Sequence, residues 1–257
     1  MPEIRTQNPT YVPGHGLLAG KGVLITAAAG SGIGSSTARK CIEEGARVVI
    51  SDKHERRLAE TAAELGVLGI ACDVTNEESV QNLITQAAIE LGGIDVLVNN
   101  AGLGGTAELH EMTDEQWSVV LDVTLNGTMR CTRAALNHMY PRGTGVIVNN
   151  ASVLGWRAQE GQAHYAAAKA GVMALTRCAA IEAGPRGVRI NAVSPSIAMH
   201  ANLAKVTSDE LLVELSQREA FGRFAEPWEI ANVIVFLASD YSSYMTGEVI
   251  SVSSQHP

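Results

Sequence analysis

Gly22-Val-Leu-Ile-Thr-Ala-Ala-Ala-Gly30-Ser-Gly-Ile-Gly34 decides how this chain is read. The apolar run over 22–27 predicts a buried strand, and the periodic stretch over 33–44, closed by Gly45, predicts a helix. The residues between them are small, so the backbone can approach an anion closely. The helix N-terminus beyond offers unpaired N–H groups and a partial positive charge. Alone, such a stretch is only a tight turn. Between a strand and a helix it is a site for a pyrophosphate.

The same alternation continues along the chain. Strands are expected over 47–51, 69–72, 94–99, 145–149, 188–193 and 248–252. Helices are expected over 55–65, 77–91, 114–139, 163–183 and 227–239. The strands are continuous apolar runs, as suits a parallel sheet covered on both faces. The implied fold is α/β: a single Rossmann-type, doubly wound parallel sheet of about seven strands with helices on both faces. Residues 21–257 form that domain, and 1–20 is an N-terminal extension. The stretch from Pro195 to about Phe224 breaks the alternation and is expected to cover the substrate.

The 257 residues carry a net charge of −8 with no basic run, which argues against nucleic acid as a partner. No apolar stretch is long enough to span a membrane. The N-terminus is polar and contains prolines, unlike a signal peptide, so a cytoplasmic protein is expected. Cys41, Cys72, Cys131 and Cys178 are far apart, and each reads as a small buried apolar residue. No metal site is expected.

The second strand ends at Asp52, whose carboxylate can accept hydrogen bonds from ribose hydroxyls and would repel a 2′-phosphate. NAD is therefore favoured over NADP. Lys53, Arg56 and Arg57 follow and read as a solvated helix face. Asp73 follows the third strand, and Asn99-Asn-Ala101-Gly follows the fourth. Carboxyl ends of strands are where open α/β sheets bind ligands.

Ser152, Tyr165 and Lys169 stand as Ser-x12-Tyr-x3-Lys. Tyr165 and Lys169 share a helix face, and Ser152 reaches that face from the end of the fifth strand. Removing a proton from an alcohol as hydride leaves needs a base near the oxygen. Tyrosine ionises near ~10, so an adjacent ammonium is expected to lower its pKa. The serine hydroxyl would hold the substrate oxygen.

With these motifs the chain resembles the short-chain dehydrogenase/reductase family from about Lys21 to Ser253. The resemblance implies that Tyr165 is the general acid/base, that Lys169 tunes it and binds the nicotinamide ribose, and that Ser152 orients the substrate. It implies a cofactor site of Gly30, Ser31, Ile33, Asp52, Asp73, Val74, Asn99 and Ala101, shared with Tyr165 and Lys169. It also implies a homotetramer packed through the long helices, where the small residues Ala166, Ala167, Ala168, Ala170, Gly171 and Ala174 suit close approach. The family's first turn glycine is Ala27 here, a mild change if its backbone angles are ordinary. Its usual asparagine, which holds a water connecting the lysine to solvent, is Thr124, and Asn126 lies on another helix face. A threonine that contacts the cofactor is His200.

The small-molecule substrate is read from the loops. Trp156 suits a ring, Arg157 an anionic group, and His200 a polar contact. The segments 195–200 and 241–257 look similar to actinobacterial enzymes acting on CoA-linked steroid-ring fragments. The expected activity is interconversion of a secondary alcohol and a ketone, with a ring-containing hydroxyacyl-CoA as candidate substrate. An NADP-dependent 3-oxoacyl thioester reductase is the alternative enzyme. Asp52 and the lack of a basic residue at Ser31 oppose it. A non-catalytic nucleotide-binding regulator is the alternative of another class.

Overall fold

The computed structural model describes residues 9–199 and 209–254, the side chains of 209–211 excepted. His200 lies outside the described residues. In chain order the elements are β1 (Gly22–Ile25), α1 (Ile33–Glu43), β2 (Arg47–Asp52), α2 (Glu55–Leu65), β3 (Leu68–Ala71), α3 (Glu77–Leu91), β4 (Val96–Asn99) and α4 (Asp114–Leu121). They continue with α5 (Gly127–Met139), β5 (Gly145–Asn150), α6 (Ala163–Ala183), β6 (Val188–Pro195), α7 (Asp209–Gln217), α8 (Pro227–Ala238) and β7 (Val249–Val252).

Among the described residues, seven strands form one parallel sheet in the order β3-β2-β1-β4-β5-β6-β7. The order reverses between β1 and β4, which opens a crevice at their carboxyl ends. Alternate side chains feed two cores. Leu24, Leu97, Ile147 and Ile190 face α3, α5 and α6. Ile25, Val98, Val148 and Val193 face α1, α2 and α8. Both faces are apolar, which is why the strands read as uninterrupted runs. No helix among the described residues is long and apolar enough to cross a membrane.

Two local findings differ from expectation and a third adds to it. The helix expected over 114–139 widens into a π turn at Asp122–Asn126 between α4 and α5. The widening lets the buried Thr124 turn its hydroxyl onto the main chain of Leu103. Cys178 is exposed, whereas the other three cysteines are buried. The extension is also tied down over its described part. Buried Glu44 accepts the N–H groups of His15 and Leu17 at 2.8 and 2.9 Å, Leu18 is fully buried, and the Tyr11 ring meets Trp228 edge-on at 5.2 Å.

Candidate active site

The turn after β1 is built on close backbone approach. A Cβ on Gly34 would lie 2.5 Å from the Ala27 carbonyl oxygen and 2.6 Å from Asn100 Nδ2, so only glycine brings α1 this close. Gly30 has φ +90°, and its N–H donates to Thr61 Oγ1 at 3.0 Å. Ala27 does not have ordinary angles. Its φ of +50° lies in the left-handed region, which costs an alanine about 1 kcal/mol. Ser31 is exposed at the tip of the turn, and Ile33, half-buried, opens α1. The α1 N-cap, Gly32, supplies no side-chain cap, and the space where its Cβ would sit is open. The first-turn N–H groups therefore face the crevice without a side-chain acceptor, as an anion requires.

Asp52, at the end of β2, accepts the N–H of Ala29 at 3.2 Å and that of His54 at 2.9 Å. Each carboxylate oxygen keeps a lone pair for a further donor. Lys53 is solvated as expected, but it precedes α2 and pairs with Asp73. Its ammonium lies 2.5 Å from Asp73 Oδ2. Burial pushes the Asp73 carboxyl up, but Lys53 and the Thr75 hydroxyl and N–H outweigh it and hold the pKa near about 2. Val74 is buried where a Cβ on Gly127 would meet it at 2.7 Å.

After β4 the two asparagines part company. Asn99 turns into the core, donating to Thr132 Oγ1 at 3.0 Å and Asn149 Oδ1 at 2.9 Å, so its side chain is not available to a dinucleotide. Asn100 faces the turn and donates to the Ala27 carbonyl at 2.9 Å. The N–H groups of Asn100 and Ala101 both donate to Thr26 Oγ1, at 3.0 and 3.2 Å. Thr61, which accepts the Gly30 N–H, and Asn150, which donates to Asn100, are candidate site residues that sequence reasoning missed, and it did not separate Asn100 from Asn99. The alternation of side chains along β4 was the available signal, because Val98 and Asn100 share a face.

At the other end of the crevice, Ser152, Tyr165 and Lys169 converge. The Tyr165 hydroxyl is hydrogen-bonded to Ser152, whose Oγ also accepts the Leu154 N–H at 3.2 Å. Lys169 is 3 % exposed; its Nζ donates to the Asn150 carbonyl at 2.5 Å and lies 5.5 Å from the Tyr165 ring centroid. Burial pushes the Lys169 ammonium down to about 8. Tyr165 departs from the expected lowering: burial raises its pKa, and the Ser152 hydrogen bond only opposes this. The ammonium bonds the Asn150 carbonyl, and desolvation of the phenol is the larger effect.

Gly102 lies against Lys169, with its Cβ position 3.4 Å from Nζ and 3.9 Å from Thr124 Cγ2. Thr124 Oγ1 accepts the Leu103 N–H at 3.0 Å and donates to the Leu103 carbonyl at 3.2 Å. The Thr124 carbonyl already accepts the Thr128 hydroxyl at 2.8 Å. Asn126 instead donates to Asp122 at 3.1 Å. Beyond Ser152, Trp156 is exposed and Arg157 half-buried on the loop before α6. The segment after β6 is held at Ala225, whose N–H donates to the Ile197 carbonyl at 3.0 Å while its own carbonyl accepts the Met199 N–H at 3.0 Å.

Residues 27–254 match the family described as enoyl-(acyl carrier protein) reductase. The chain is 64% identical over 257 residues to the (5R,7aS)-5-hydroxy-7a-methyl-1-oxo-2,3,5,6,7,7a-hexahydro-1H-indene-carboxyl-CoA reductase of Mycobacterium tuberculosis, covering 97% of this chain and 98% of that one. It is 41% identical over 235 residues to the cis-4-hydroxycyclohexanecarboxylate dehydrogenase of Sinomonas cyclohexanicum, covering 90% and 94%. The crystal structure of a short chain dehydrogenase from Mycobacterium smegmatis superposes with a TM-score of 0.88 at 60% identity, over 98% of this chain and 99% of that one. These matches run through every strand end that lines the crevice, and the chain belongs to the short-chain dehydrogenase/reductase family, oxidoreductases that act on CH–OH groups with NAD(H) or NADP(H).

Proposed function

We propose that the protein uses NAD(H) to interconvert a ring-borne secondary alcohol and its ketone on an acyl-CoA substrate, with Ser152, Tyr165 and Lys169 as its catalytic group. The observation that carries the chemistry is the meeting of these three side chains at the carboxyl edge of β5. The ring and the CoA follow from the names of the two relatives, a hydroxy-oxo-indene-carboxyl-CoA reductase and a hydroxycyclohexanecarboxylate dehydrogenase.

The turn and Asp52 fit a dinucleotide. Gly30, Ser31 and Ile33 would hold the pyrophosphate at the α1 N-terminus, and the lone pairs left on Asp52 would take the ribose hydroxyls. Asp73, Val74 and Ala101 would border the adenosine and the nicotinamide ribose. Bound nicotinamide supplies or accepts the hydride. In the reductive direction the raised Tyr165 pKa keeps its hydroxyl protonated, ready to donate to the carbonyl oxygen. Ser152 holds that oxygen beside the phenol. In the oxidative direction Tyr165 must first ionise, and the Lys169 ammonium supplies the stabilising charge. Trp156, Arg157 and His200 would contact the substrate. A homotetramer through the long helices is supported by the exposed Trp117, Val119 and Ile181 on α4 and α6.

Lys53 favours a second reading, in which its exposed ammonium leaves Asp73 for a 2′-phosphate and NADP(H) is used. The test is turnover of ring-containing hydroxyacyl-CoAs and of simple hydroxyacyl-CoAs with each dinucleotide, followed by nicotinamide absorbance. Faster turnover with NAD and a ring substrate is expected. A preference for NADP overturns the role given to Asp52, and binding of dinucleotide without turnover of any substrate favours a regulator.

A further inference from the structure

Asn150, the last residue of β5, reaches both ends of the crevice. Its carbonyl accepts the Lys169 ammonium at 2.5 Å. Its side-chain Nδ2 donates to Asn100 Oδ1 at 2.9 Å, and Asn100 Nδ2 donates in turn to the Ala27 carbonyl at 2.9 Å. Ala27 is the left-handed residue of the pyrophosphate turn. The direction of this ladder is fixed by its lower end. A main-chain carbonyl only accepts, so Asn100 must present its NH2 to Ala27 and its oxygen to Asn150. Asn150 must then present its NH2 to Asn100. Its own Oδ1 is left buried without a partner.

That unpartnered oxygen bears on why the residue is an asparagine. On the same face of the sheet, Val148 lies two residues back and Val193 is its β6 neighbour, both in the apolar core against α1 and α8. A valine at 150 would continue that core and remove a buried orphaned acceptor, which costs about 1–3 kcal/mol; the acceptor it leaves without a donor, Asn100 Oδ1, belongs to a half-buried residue and costs less. Stability alone favours the valine. The amide is explained by what it connects.

We propose that Asn150 is a positioning residue. It fixes Lys169, through the end of β5, at a set distance from the turn that takes the pyrophosphate, and so places the nicotinamide half of a bound dinucleotide. The assignment rests on the dinucleotide site proposed above. It is independent of the choice between NAD and NADP.

The test compares NADH with ADP, which lacks the nicotinamide and its ribose, binding to wild type and Asn150→Val. Calorimetry gives both affinities, and thermal melting without nucleotide gives the stability. The valine variant is expected to melt at or above the wild-type temperature and to bind ADP within about twofold of wild type. Its NADH affinity is expected to fall about tenfold. Equal losses for both nucleotides, or no loss for either, overturns the assignment. A variant that melts well below wild type also overturns it, because the residue is then structural. Asn150→Ala, which removes the amide without adding bulk, must give the same split. If wild type itself binds neither NADH nor NADPH, the dinucleotide site fails and the inference falls with it.

Discussion

Lys169 directs its ammonium at the carbonyl of Asn150, 2.5 Å away, with the Tyr165 ring centroid 5.5 Å from the same nitrogen. The ammonium is almost wholly out of reach of water, and burial lowers its pKa to about 8.

The stability of the dinucleotide-free protein should carry that signature. An unfolded lysine keeps its proton up to about 10.5, whereas folded Lys169 releases it near about 8. Between these values the unfolded chain binds more protons, so stability from this group rises with pH across that window. At pH 7 the burial penalty is roughly 3 kcal/mol, and by pH 10.5 it is relieved. Lys169→Met removes the group. Urea melts at pH 7 and pH 10 should show wild type gaining on the variant as pH rises. A constant gap would mean that the ammonium is better solvated than its burial implies.

Tyr165→Phe should abolish turnover and leave dinucleotide binding almost intact. The change removes the hydroxyl bound to Ser152 and keeps the ring beside Lys169. Loss of a general acid/base lowers rates by about 10²–10⁴-fold. Steady-state kinetics with nucleotide titration in parallel separates the two effects. A variant that kept most of its rate would show that another group moves the proton.

Ala27→Gly should raise stability slightly. A left-handed alanine costs about 1 kcal/mol, and glycine loses about 0.4–1 kcal/mol of that gain to unfolded-state entropy. The net is about 0.5 kcal/mol, readable as a shift in denaturant midpoint at unchanged slope. A less stable glycine variant would mean that the turn is not strained at this residue.

Much of this was legible from spacing. Strand and helix periods gave the sheet and its crevice, and i, i+4 spacing put Tyr165 and Lys169 on one face. The remainder depends on backbone angles and third-element contacts, which a period does not encode. A left-handed Ala27 reads like any alanine. The π turn at Asp122–Asn126 leaves the apolar pattern of a long helix almost unchanged. Asn99 and Asn100 are alike in composition, and only strand alternation decides that the first enters the core. Lys53 reads as a helix-face cation until β3 brings Asp73 beside it. His15, Leu17 and Glu44 meet only because the extension turns back along α1.

Thr124 gives the last prediction. Its hydroxyl accepts from the Leu103 N–H and donates to the Leu103 carbonyl, and neighbouring Gly102 lies over Lys169. Thr124→Val keeps the shape and deletes both bonds, leaving two main-chain groups of Leu103 without this partner. Each costs about 1–3 kcal/mol if it stays buried. The valine variant should therefore lose about 2 kcal/mol of stability, and kcat should fall as the cover over Lys169 loosens. Thr124→Ser keeps the hydroxyl and should stay within about 1 kcal/mol of wild type with most of its rate. Chemical denaturation and kcat of the two variants, measured side by side, check this. If valine and serine behave alike, the hydroxyl is not what holds Gly102 and Leu103 above the lysine, and the widened turn must act through its main chain alone.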